Sequence, residues 1–261
     1  MRKRNGEKLE SKNIFVKMNI IERNFFNLLR SGAMNEQPSL EPMTLYKWNR
    51  LVDLTCAQKV ELITLKGMQN QGDETDVQVP HGIIRRLEEL CANASPQVPW
   101  EENEPATLSN IYLRRQLKKI QQNERHEIDA SMITVDLLNI IVRNAEQILS
   151  KGVSLSGILY LGLFLRTKGD KVDFVKMEKW LQKLYMQRMA QLEGSILVNV
   201  FEFEPDEIPF LKQIEPAAEK LAVHSLTHPI NSSLSFFPYA PIEAVSFLFS
   251  ILARRLSEIE E

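Results

Sequence analysis

Along nearly the whole chain, apolar residues recur three and four positions apart, the spacing that gathers them on one side of an α-helix. "NIIERNFFNLLRSG" places Ile21, Phe25, Leu28 and Leu29 on one face, with Gly32 as a stop. After a loop with Pro38 and Pro42, "TLYKWNRLVDLTCAQ" restarts the pattern, with Thr44 as cap and Leu45, Trp48, Leu51, Val52 and Thr55 at helical spacing. "VELITLKGMQ" is a short third element whose pattern suits a helix or a strand. Pro80 opens the next helix: Ile83, Ile84, Leu87 and Leu90 form a stripe, and Arg85, Arg86, Glu88 and Glu89 form its wet side. The linker "ASPQVPWEENEP" is punctuated by prolines. "TLSNIYLRRQLKKIQQNERHEI" then reads as a long amphipathic helix. It turns Ile111, Leu113, Leu117 and Ile120 inward and carries a basic edge of Arg114, Arg115, Lys118 and Lys119.

The pattern breaks after Ile128 and resumes at "TVDLLNIIVRNAEQILSKG". Next comes "GVSLSGILYLGLFL", uncharged between Lys151 and Arg166. Its fourteen residues fall short of the roughly twenty that a membrane span needs. The stretch therefore predicts a helix buried nearly all round, with Gly157 and Gly162 letting neighbours approach closely. After the turn "TKGDKVD", Asp173 caps "FVKMEKWLQKL", whose inward residues are Phe174, Met177, Leu181 and Leu184. "MQRMAQLEGSILVNVF" is another helix, ended by "EFEPDEIP". Pro216 opens "PAAEKLAVHSLTH", and Pro241 opens a last helix, "IEAVSFLFSILARRL". Few runs alternate apolar and polar residues. The expected fold is all-α, an irregular multi-helix bundle of about ten or eleven helices. Its expected parts are a basic tail over 1–17, an N-terminal helical part over 18–129 and a C-terminal helical part over 130–261. The two helical parts are expected to pack as one compact unit on one continuous core, because large exposed apolar faces are uncommon.

Totals narrow the function classes. Across 261 residues, 44% are apolar and 25% charged, with a formal net charge of −2. That balance argues against a protein built mainly to grip nucleic acid or anionic lipid. The only two cysteines, Cys56 and Cys91, lie in apolar helical patterns and read as buried thiols of a reducing compartment, without a disulfide framework. "MRKRNGEKLESKNIFVK" has no apolar segment of a secretory signal. It reads as a mobile tail, or as an extension upstream of an alternative start at Met18, and the expected location is cytoplasmic.

No chemical motif stands out. The phosphate-cradling patterns GxGxxG and GxxxxGK are missing, as is the serine elbow GxSxG. His224 and His228 share the four-residue spacing of two zinc ligands, but no glutamate follows His224 and Pro229 ends the helix. His126, in "ERHE", lacks zinc-ligand spacing and reads as solvated. In "GDETD", Asp73, Glu74 and Asp76 are candidate magnesium ligands. Asp73 and Asp76 nevertheless stand three apart in a Gly- and Gln-rich loop, where alternation on a strand would be needed to aim them alike. No catalytic, cofactor-binding or metal-ligating residue is assigned, and no cofactor is expected.

The order of helices resembles an uncharacterised bacterial nucleotidyltransferase family, whose members often sit in polysaccharide-related gene clusters. The N-terminal likeness lies in "FFNLLRSG", "LYKWNRLVDLTCAQKV", "VPHGIIRRLEEL" and "LSNIYLRRQLKKIQQNE". "VDLLNIIVRNAEQILSKGVSLSGILYLGLFL", "KVDFVKMEKWLQKLYMQRMAQ", "FEFEPDEIP" and "FFPYAPIEAV" resemble its C-terminal helical region. The family core, with its Lys-Gly dipeptide and Gly-Asp-x-Asp metal pattern, has no counterpart between Ile128 and Val135. "LKG" at 65–67 is a look-alike placed too early. In the family's "G-x-x-L-R-x-x-x-D" motif, Ser156 stands in place of arginine and Tyr160 in place of aspartate. The preceding helix carries Arg143 and Asn144 but no histidine. The resemblance implies a non-catalytic helical protein that has lost its catalytic core. It would act as a binding or scaffolding protein with a protein partner, linked to surface-polysaccharide synthesis. The alternatives are a metal-dependent nucleotidyltransferase-like enzyme using Asp73, Glu74 and Asp76 or the histidine pair, and a nucleic-acid adapter using Arg114, Arg115, Lys118, Lys119 and the tail.

Overall fold

The computed structural model describes residues 18–71, 77–92, 106–108, 110–124, 130–150 and 152–227. These residues form ten α-helices and no strand: α1 (Ile20–Met34), α2 (Leu45–Gln58), α3 (Glu61–Asn70), α4 (His81–Cys91), α5 (Ile111–Glu124), α6 (Ala130–Ser150), α7 (Leu155–Lys168), α8 (Phe174–Lys183), α9 (Gln187–Phe201) and α10 (Ala217–Thr227). Short 3₁₀ turns at Gly169–Lys171 and Pro205–Glu207 follow α7 and α9. The architecture is an all-α multi-helix bundle. The third element, ambiguous by pattern, is a helix. The basic tail and the last helix expected after Pro241 lie outside the described residues.

Local chemistry sets the helix starts. Asn19 caps α1 by accepting from the backbone of Ile21 and Glu22, and Glu22 reaches back to the Asn19 N–H. Thr44 caps α2 through Lys47 N–H, and Asp173 caps α8 through Lys176 N–H at 2.9 Å. Ser154 does the same for α7 through Gly157 N–H. Several helix ends use a left-handed residue other than glycine: Asn35 at φ 56, Lys59 at φ 54 and Glu202 at φ 53.

Gly32 does not stop α1. The helix runs on to Met34, and Asn35 closes it by donating to Ser31 O. Gly32 serves instead as the crossing point with α3. A methyl group on Gly32 would fall 1.8 Å from Ile63 O, and one on Gly67 would fall 2.0 Å from Leu28 O. The two helices therefore meet backbone to backbone, a contact that any side chain at either position would prevent. At α7 a glycine makes room for side chains instead: a Cβ on Gly162 would sit 2.7 Å from the Phe203 ring.

Most of the stripes face the core. Phe25, Phe26, Leu28 and Leu29 are fully buried on α1, as are Leu51 and Val52 on α2. Leu137, Leu138, Ile141 and Val142 are buried on α6, and Ile196, Leu197, Val200 and Phe201 on α9. Each such side chain contributes about 1.5–3 kcal/mol by leaving water. Two residues expected inward are not. Leu45 is 60% exposed and Ile111 is 66% exposed. Both are the first residues of their helices, where the helix has not yet reached the body it packs on.

Buried apolar residues from both halves of the chain join one contiguous cluster. Phe26 of α1 meets Phe201 of α9 edge to face, with ring centroids 5.8 Å apart. Gln58, at the end of α2, donates to Ser225 O of α10 at 2.5 Å. α7 is buried from Leu155 to Leu165 except at Tyr160, which is partly covered, and Leu163. No described helix is long and apolar enough to cross a membrane.

Candidate functional site

Asp73, Glu74, Asp76, His126 and His228 lie outside the described residues. His224 belongs to α10, but its side chain also lies outside them. Among the described residues, no three His, Cys, Asp or Glu side chains come together as metal ligands. Lys66 and Gly67, the look-alike of the Lys-Gly element, sit within α3. There Gly67 is committed to the α1 crossing.

The basic edge of α5 is on the surface. Arg114, Arg115, Lys118 and Lys119 are exposed, while Leu117 and Ile120 anchor the helix on the core. Asn110 accepts from Tyr112 N–H and Leu113 N–H at the start of the helix, and Arg114 Nε donates to Leu108 O at 2.7 Å. Ile111 and Tyr112 project beside the cations, at 66% and 57% exposure. The face thus combines positive charge with uncovered apolar and aromatic surface.

Of the two positions singled out in α7, Ser156 is enclosed and Tyr160 is partly covered. Ser156 is 4% exposed, and its Oγ lies 3.0 Å from Ser154 Oγ. Tyr160 is partly buried and packs against the core. Beside them, Asn144 of α6 donates from Nδ2 to Gly157 O at 3.2 Å and to Glu193 Oε2 of α9 at 3.0 Å. Glu193 is completely buried. Burial pushes its carboxyl well above the ordinary carboxylate range, and the Asn144 bond opposes this only in part. Asn144 Oδ1 and Glu193 Oε1 are buried without a hydrogen-bond partner. Glu193 escaped sequence reasoning because α9 reads as an ordinary amphipathic helix; only the contact with α6 shows that residues 191–197 are buried on every side.

A second polar group ties the two halves together at the surface. Arg166, at the end of α7, holds Glu207 through Nε at 2.8 Å and Glu36 through Nη1 at 2.7 Å, with its guanidinium 4.0 Å from the Phe203 ring centroid. Arg30 of α1 holds the other oxygen of Glu36 at 2.6 Å and reaches Glu202 at 2.8 Å. Burial alone would raise the Glu207 carboxyl, but the Arg166 bonds and charge and the Glu204 N–H together outweigh it and hold Glu207 below the usual range. These groups satisfy one another, so their geometry supports a strut more than an open site. No family model, curated protein or solved structure matches the chain.

Proposed function

We propose that this chain is a non-catalytic helical protein that acts by binding a protein partner, and that it keeps the helical body of a nucleotidyltransferase-like ancestor without the catalytic core. The observation that carries the reading is the use made of α7. Ser156 and Tyr160, at the positions where the resemblance calls for a charged pair, are spent on packing. Transfer to or from a phosphate needs groups that meet the negative charge of the transition state, and a buried serine and a half-buried tyrosine supply no charge there.

The partner-facing surface is the outer side of α5. Arg115, Lys118 and Lys119 beside Ile111 and Tyr112 suit an acidic protein surface with an apolar centre, since aromatic and arginine side chains carry much of the energy of such contacts. The gene-cluster habit of the resembled family points to a partner among proteins of surface-polysaccharide assembly.

The test is a thermal-shift titration with ATP and magnesium. No change in the melting midpoint is expected; saturable stabilisation accompanied by nucleotide turnover would overturn the reading. Charge reversal at Arg115, Lys118 and Lys119 should leave the midpoint unchanged and abolish partner retention. Binding of duplex DNA that weakens steeply with salt would instead favour the nucleic-acid adapter.

A further inference from the structure

The chain contains only two thiols, and they belong to helices that pack on each other. α4 lies along α2 in a register fixed by Arg86, which donates to Asn49 Oδ1 at 2.5 Å and to Asp53 Oδ1 at 3.0 Å. These partners stand 37 and 33 residues earlier in the chain. Cys91 follows Cys56 by 35 residues, within that same interval. The stripe leading to each cysteine keeps the interval too: Trp48 and Val52 are buried on α2 at the positions that Ile83 and Leu87 occupy on α4. Each stripe advances by four residues per step, so the next step brings Cys56 and Cys91 to the same end of the helix pair. Cys91 lies within electrostatic reach of Cys56, and both feel Glu61. Both are partly exposed and rest against the edge of the core.

We propose that Cys56 and Cys91 form a dithiol modification site, which a small-molecule disulfide converts reversibly into a cross-link between α2 and α4. The thiolate of Cys56 attacks one sulfur of the small disulfide. A Cys56–S–S–R bond forms, and RS⁻ leaves and takes up the proton lost by Cys56. The thiolate of Cys91 then attacks Cys56 Sγ, which releases the second RS⁻ to be protonated by the proton from Cys91. Two protein thiols are oxidised, and one small disulfide is reduced to two thiols. The Arg86 cation favours the Cys56 thiolate against the opposing charges of Glu61 and Asp53, whereas no cation favours that of Cys91, and this difference assigns the first attack to Cys56. Burial pushes both thiols up, so closure is slow near neutral pH and accelerates as pH rises.

The experiment incubates the native full chain with oxidised glutathione and maps its peptides by mass spectrometry. The expected product is a Cys56–Cys91 linked peptide, monomeric, reversed by dithiothreitol, with a raised melting midpoint because the loop between the helices is closed. Cys91→Ser should retain glutathione on Cys56 at the mixed-disulfide stage. Phenylarsine oxide, which needs two adjacent thiols, should bind the reduced native chain at one equivalent and protect both thiols from alkylation. Stable glutathione adducts on the unmodified chain, disulfide-linked dimers, or thiols that react only after unfolding in urea would each overturn the proposal. The arsenical result does not depend on any variant folding.

Discussion

Burial of Glu193 favours its neutral acid over its carboxylate, and its titration therefore has a definite sign. Its folded-state pKa lies above the ordinary value. The favourable contribution of the neutral acid is therefore complete below the unfolded-state pKa and disappears as pH rises toward the folded one. Stability should fall by about 1.4 kcal/mol per pH unit across that interval. Glu193→Gln keeps the shape and removes the proton equilibrium. Denaturant unfolding of both chains between about pH 5 and pH 9 should show the slope in the parent and its loss in the variant. Parallel curves would mean that Glu193 ionises freely. Residues of this kind divide sharply in how far the sequence reveals them. Thr44 and Asp173 are legible as caps because a cap is made with a backbone N–H three residues away. The pairing of Glu193 with Asn144 spans 49 residues, and nothing local announces it.

Gly32 and Gly67 show the same division one level up. The glycine in "FFNLLRSG" looks like a terminator when only its low helix propensity is considered. In the folded chain the loss of propensity is offset by the closeness of α3, and the helix continues. Gly67→Ala would drive a methyl group into the Leu28 carbonyl. We expect it to cost more than about 3 kcal/mol, at or beyond the upper end of overpacking effects, read as a large drop in denaturation midpoint. Gly82 is the control, because a methyl group added there would meet nothing within 4 Å. Gly82→Ala should leave stability unchanged or raise it by up to about 1 kcal/mol. Helix number and stripe identity are readable from spacing alone because packing follows the 3.6-residue period. Leu45 and Ile111 depart from their stripes because periodicity gives the direction of a side chain but not where the neighbouring helix begins.

Across the molecule, residues far apart in sequence are clamped by Phe26 on Phe201, Gln58 on Ser225 and the Arg30–Glu36–Arg166–Glu207 chain. Arg166 is readable in the sequence as the charge that ends an apolar helix, but its partners 130 and 41 residues away are not. Arg166→Met keeps the aliphatic stem and removes the charge. We expect a loss of about 1–2 kcal/mol, because the ion pairs are partly solvated and the network is worth less than its separate bonds. High salt should shrink the difference between the two chains, and a difference independent of salt would assign the effect to packing on Phe203. The glycine crossing also bears on how the molecule comes apart. Where main chain rests on main chain, no rotamer change can admit water, so α1 and α3 separate together or not at all. Their inner amides should exchange with deuterium only through the largest opening the protein undergoes, later than those of α5, whose first turn stands clear of the body. Exchange of α1 ahead of α5 would show that the joint is looser than its geometry.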